Sequence, residues 1–239
     1  MALRERLIEY VHEGVRLEGL YVAEERGGPR RPGVLVSHAW GGRGELEADA
    51  ARRLAAQGYA ALALDMFGKG VRGGSREQNA ALIAPLLQNR SLLQARILAA
   101  VGALRAQSEV DPRRIAAIGF CFGGLCVLDL ARSGADVAGV VSLHGLFTPP
   151  EPATGARIHA KVLALHGHDD PLAPPAAVAA LQAELTAAGA DWQIHVYGGT
   201  MHAFTNPSAR DRDFGTVYNE LAAGRAWTAT REFLAEVLT

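Results

Sequence analysis

Six short apolar runs, at residues 34–37, 60–64, 115–119, 137–143, 162–165 and 193–197, recur along the chain with longer segments of helical periodicity between them. Continuous apolarity implies strands covered on both faces, as a parallel sheet flanked by helices requires. The helical segments fall at 45–57, 80–107, 123–133, 175–188 and 216–238. Strand alternating with helix predicts a doubly wound α/β sheet. Ahead of it, residues 4–12 and 14–23 alternate weakly around His12-Glu13-Gly14, the pattern of an antiparallel hairpin with one solvated face. The expected architecture is a mostly parallel twisted sheet with helices on both faces and an antiparallel N-terminal edge hairpin. No break in composition marks a linker, so residues 1–239 read as one domain.

Charge narrows the partners. Lys plus Arg is 24 against 25 Asp plus Glu, which leaves no electrostatic footprint for nucleic acid or an anionic membrane. A small-molecule partner is expected. The first ten residues lack a continuous apolar core, and no stretch of about 18 apolar residues occurs, so neither export nor membrane spanning is supported. Cys121 and Cys126 are the only cysteines, too few for a disulfide framework and without redox C-x-x-C spacing. A reducing cytoplasm is the natural location.

The third strand runs into Gly119-Phe120-Cys121-Phe122-Gly123-Gly124 and then into an apolar helix. A sharp strand-to-helix turn exposes its central side chain, and small residues two before and two after keep the backbones apart. Cys121 is therefore the candidate nucleophile, whereas Cys126 falls inside the helix and reads as core packing. A thiol there needs a base and a group to orient the base. His202 follows the last strand and is the candidate base. Asp170, at the end of the strand before it, is the candidate orienter, with its neighbour Asp169 as the alternative. Cys121, Asp170, His202 is the chain order of the α/β-hydrolases. By analogy the oxyanion hole draws on the backbone N–H groups of Phe122 and Ala39. His166, His168, Asp169 and Asp170 also cluster as metal ligands do, but a third ligand is unassigned and no metal is expected.

With these motifs in place the chain resembles the dienelactone hydrolase family, cysteine-using members of the α/β-hydrolase fold. The resemblance runs from about Gly33 to the C-terminus. It rests on the elbow motif together with Leu64-Asp65-Met66-Phe67-Gly68-Lys69-Gly70, His166-Gly167-His168-Asp169-Asp170-Pro171 and Met201-His202-Ala203-Phe204. It implies hydrolysis of a small-molecule ester or lactone through a thioester on Cys121, with no metal or organic cofactor, in a monomer. Two departures stand out. His38 falls where the family places a glutamate that helps activate the cysteine, so His38 is a candidate for activation. Asn206 falls where an arginine of the family's carboxylate clamp is expected, leaving Arg72, Arg76 and Arg90 as candidate replacements. His38, Trp40, Phe67, His144 and Phe204 are expected around the pocket because their segments end buried strands. A second reading of the same residues is a non-catalytic ligand-binding or thiol redox-sensing protein on this fold.

Overall fold

The computed structural model describes residues 2–25, 28–151 and 157–239. β1 (Leu3–His12) and β2 (Val15–Glu24) pair antiparallel, His12 opposite Val15. The connecting Glu13 and Gly14 have φ of 48° and 79°, the left-handed pair that a two-residue hairpin requires. β2 then pairs antiparallel with β4 (Ala60–Ala63), and from there the sheet is parallel. Its order is β1-β2-β4-β3-β5-β6-β7-β8, with β3 at Arg31–Ser37, β5 at Val110–Phe120, β6 at Gly139–Leu143, β7 at Lys161–Gly167 and β8 at Trp192–Tyr197.

This order fixes where a site can form. From β3 the chain winds to β4 on one side and returns to β5 on the other, so the loops leaving β3 and β5 diverge at a topological switch point. α1 (Glu45–Ala55) and α6 (Glu220–Val237) cover one face; α3 (Arg90–Arg105), α4 (Phe122–Arg132) and α5 (Pro175–Ala187) cover the other. Alternation within single strands serves both: Val34 and Val36 pack toward α1, while Leu35 packs toward α3 and α4. β8 departs from the expectation of two covered faces. It is the edge strand, and none of its residues is buried.

Two of the expected helices end differently. Residues 80–107 form two helices, α2 (Arg76–Gln88) and α3, because the Asn89 side chain accepts the Leu92 N–H (3.0 Å) and starts a new helix. The last helix begins at Glu220 rather than 216. Thr216–Val217 is instead a short strand, β10, paired with β9 (Arg210–Asp211).

The elbow is held by backbone contact. A Cβ on Gly119 would sit 2.1 Å from the Gly123 carbonyl oxygen, and one on Gly123 would sit 2.2 Å from the Ser37 oxygen. The obstructing atoms are main chain, so neither neighbour can yield by a rotamer change. Gly123→Ala is expected to destabilise the fold by about 1–3 kcal/mol or more. Urea unfolding followed by circular dichroism checks this, and a wild-type midpoint would show that the elbow has slack.

Candidate active site

Cys121 has φ 54° and ψ −116°, a conformation L side chains rarely adopt. Its N–H donates to Leu143 O (3.1 Å), and its carbonyl accepts from Gly124 N (2.9 Å) and Leu125 N (3.3 Å), so the strain is held from both sides. The residue is half-buried. The next N–H, that of Phe122 at the first turn of α4, has no acceptor among the described residues.

Asp170 lies in the turn after β7 and is 1% exposed, whereas Asp169 is exposed. One oxygen, Oδ1, accepts the N–H groups of Leu172 (2.8 Å) and Ala173 (3.3 Å). The other, Oδ2, accepts Nδ1–H of His202 at 2.7 Å. The structure thus brings His202 to Asp170 and not to Asp169. β10 fixes the ring's backbone: His202 N–H donates to Gly215 O (2.9 Å) and Val217 N–H donates to His202 O (3.0 Å).

Electrostatics separate His202 from the other buried histidines. Burial alone would lower its pKa, but the negative charge of the Cys121 sulfur and the hydrogen bond to Asp170 outweigh that and hold it up at about 10. Among the described residues Nε2 meets no partner at strict hydrogen-bond geometry, and the Cys121 sulfur raises the ring's pKa both by its charge and as a hydrogen-bond acceptor. His144 meets His202 edge to face, centroids 5.2 Å apart, with its Nε2 2.7 Å from Thr205 Oγ1. Burial and the neighbouring His202 push its pKa well down. His166 donates Nε2–H to Ala173 O (2.7 Å), and burial lowers its pKa too.

His38 does not offer a nitrogen to Cys121. Its Nδ1–H donates to Ala39 O (2.6 Å), Nε2 accepts Met66 N–H (3.1 Å), and burial lowers its pKa. The ring is a neutral tie between the loops after β3 and β4, so the expected part in activation gives way to a structural one. Ala39 is corrected as well. Its N–H donates to Glu47 Oε1 (3.0 Å) and is not open to a substrate oxygen. On the same loop, the Trp40 N–H has no partner among the described residues.

Ala39, Trp40, Cys121, Phe122, His144 and His202 share a cavity of about 270 Å³. Leu46, Ile83, Leu146, Leu172, Phe214 and Thr216 complete much of its wall, and Asn206 is also on it. Trp40 stacks on Phe214 at 5.6 Å. Three expected pocket residues fall elsewhere, His38 among them as the tie between loops described above. Phe204 is fully buried behind His144 and against Tyr197, and Phe67 packs on His38 and Phe122. Among the described residues no group of three His, Cys, Asp or Glu side chains converges on a metal position.

The sequence profile of the Dienelactone hydrolase family matches residues 18–238. The chain belongs to this family. Among solved structures, the one named m3DLH is 38% identical, with a TM-score of 0.95 and both chains covered in full. A dienelactone hydrolase-like promiscuous phosphotriesterase from metagenomic libraries is 35% identical, also at a TM-score of 0.95 with both chains covered in full. A putative carboxymethylenebutenolidase of Salmonella typhimurium is 28% identical over 220 residues, covering 86% of this chain and 77% of its own.

For a dienelactone hydrolase family member, the cavity is short of positive charge. None of the three candidate arginines is on its wall. Arg90 is bound through two nitrogens to Asp129, Arg72 donates to the Arg43 and Val71 carbonyls, and Arg76 pairs with Asp211 while lying 4.4 Å over the Phe214 ring. Sequence reasoning placed the loop 203–216 at the pocket, and Phe214 and Thr216 are on its wall, but it missed Glu47. Its signal was its place as the third residue of a helix beginning at Glu45.

The raised pKa of His202 has a thermodynamic consequence. The folded ring keeps its proton up to about pH 10, while an unfolded one releases it near 6.5. Protonation therefore favours folding fully below pH 6.5, and that gain is lost as pH rises through 10. Asp170→Asn is expected to lower the His202 titration midpoint seen by NMR and to flatten the fall in unfolding free energy across this window. An unchanged midpoint would mean that Asp170 does not hold the imidazolium.

Proposed function

We propose that this protein hydrolyses uncharged carboxylic esters or lactones through a thioester on Cys121. With the Cys121 proton already on His202, the thiolate sulfur attacks the carbonyl carbon. The electron pair of the C=O bond moves to oxygen, where the open N–H groups of Phe122 and Trp40 receive it. The tetrahedral intermediate collapses with loss of the alcohol, which takes its proton from His202. Water, deprotonated by His202, then attacks the thioester, and the acid leaves as Cys121 is restored. Asp170 orients the ring throughout.

The single observation that carries this reading is the juxtaposition of a strained, half-exposed cysteine with a buried, Asp-bonded histidine on one apolar cavity. The wall composition supports the substrate class. Leu, Ile, Phe and Trp side chains can desolvate a neutral acyl or alkyl group, while a substrate carboxylate would find no arginine there. Both cysteines are free, which suits work in a reducing compartment such as the cytoplasm. The relationship to the metagenomic phosphotriesterase favours a second activity, in which the same thiolate attacks the phosphorus of an uncharged phosphotriester, breaks one P–O ester bond and expels the alcohol with a proton from His202.

Cys121→Ala is expected to reduce kcat/KM on p-nitrophenyl butyrate by a factor of about 10³ or more. In His202→Ala, mass spectrometry after brief exposure to the ester should find any acyl group on Cys121 only. Wild-type protein should prefer the neutral ester over a carboxylated lactone by about tenfold or more, the cost of an unpaired charge. Turnover that survives Cys121→Ala would overturn the mechanism. Peroxide oxidation of Cys121 with no ester turnover would favour a redox sensor instead.

A further inference from the structure

The loop after β3 is held by a carboxylate from α1 that forms no ion pair. Glu47 is 2% exposed, and among the described residues it meets no Lys or Arg. Its Oε2 accepts the Gly44 N–H (2.8 Å), an ordinary half of a helix capping box. Its Oε1 does something a cap does not require. It reaches back eight residues to accept the Ala39 N–H at 3.0 Å. One side chain thereby grips both ends of the segment 39–44, whose turn is tightened by Gly42 N–H on Ala39 O (3.2 Å) and tied to the next loop by Gly73 N–H on Gly41 O (3.0 Å). Ala39 and Trp40 both line the cavity with Cys121 and Phe122, yet only the Trp40 N–H is without an acceptor. Two adjacent peptide N–H groups compete for the role of second oxyanion donor, and Glu47 removes one of them.

We propose that Glu47 is a positioning residue of the oxyanion hole: by binding the Ala39 N–H it fixes the 39–44 loop so that the Trp40 N–H is the donor presented opposite Phe122. The assignment rests on the reading that Cys121 attacks a carbonyl. Glu47 touches no substrate; it acts through the loop. A carboxylate suits the task because it accepts at both oxygens, whereas a glutamine would turn its NH₂ toward one of the two backbone donors. A preorganised donor is worth a great deal in an apolar site, since no reorganisation is needed as charge develops.

The test compares full-length wild type with Glu47→Gln, Glu47→Asp and Glu47→Ala in three assays. Acylation of Cys121 by p-nitrophenyl butyrate should fall about 10- to 100-fold in Glu47→Gln with KM within about threefold, because the loss is confined to the transition state. Affinity for an alkyl trifluoromethyl ketone should fall in parallel, since its adduct with the Cys121 sulfur carries an oxyanion in the same place. Alkylation of Cys121 by iodoacetamide, a displacement that forms no oxyanion, should stay within about threefold of wild type. Glu47→Asp, keeping two acceptor oxygens, should lie between Glu47→Gln and wild type.

A merely structural cap would lower the melting temperature while leaving acylation and ketone affinity at wild-type values, and that result overturns the assignment. Equal loss of alkylation and acylation also overturns it, because Glu47 would then act on the Cys121–His202 pair. If Glu47→Ala does not fold, the Gln and Asp variants decide. The ketone assay needs no turnover, so it separates failure of this assignment from failure of the hydrolase reading: wild-type protein that binds the ketone but cleaves no ester would count against the latter alone. Wild-type protein that fails to bind the ketone counts against both.

Discussion

The close approach of α4 to the end of β3 is the contact from which the site follows. Gly123 lies so near the Ser37 carbonyl that no side chain fits between them, and Gly119 is equally close to Gly123. The chain can make that approach only by turning abruptly at one residue, and Cys121 absorbs the turn at positive φ. Three features result from this geometry. The thiol lines the cavity, the Phe122 N–H at the start of α4 is left without an acceptor among the described residues, and the β3 loop, whose Trp40 N–H likewise meets none there, lines the same cavity. Rigid main chain on both sides is what makes such preorganisation possible.

Four buried histidines surround this turn, and their environments assign them different states. His38, His144 and His166 are pushed toward neutrality by burial, each with a hydrogen bond to one or both nitrogens. His202 is equally buried but faces a sulfur and a carboxylate, and these reverse the sign of its shift. One ring that holds its proton beside three pushed toward neutrality is an arrangement that suits transfer of a proton by a single route. The neutral rings do other work. His38 ties two loops together, and His144 packs edge-on against His202, limiting how that ring can tilt.

The strands and the order of Cys121, Asp170 and His202 were legible because they depend on local pattern: apolar runs, a glycine-flanked elbow, polar turns at strand ends. The split at Asn89 was missed because the 80–107 segment keeps helical composition across a capping residue whose effect depends on one side-chain bond. Thr216–Val217 read as helix because its pairing partners, Arg210–Asp211 and the backbone of His202, are set by tertiary contact. The oxyanion donor could not be chosen from sequence for a similar reason. Ala39 and Trp40 each carry a peptide N–H, and only the reach of Glu47 from α1 distinguishes them. His38 shows the opposite error. A titratable residue beside a catalytic loop invites a chemical role, yet burial and two hydrogen bonds leave it no free nitrogen.

The apolar wall and the neutral substrate proposed for it are one property viewed twice. Excluding water from the cavity strengthens the attraction between the open N–H groups and a developing oxyanion, because little solvent remains to screen it. The same exclusion makes a substrate carboxylate costly unless a cation meets it, and Arg72, Arg76 and Arg90 are all engaged away from the cavity wall. The positive charge left within is that of His202. A carboxylate entering the site would therefore compete with the Cys121 sulfur for the imidazolium, stabilising the proton on the one ring that must give it up. On the proposed reading an uncharged ester brings no such competitor, so the wall that would admit it would also keep the His202 proton available to the leaving alcohol.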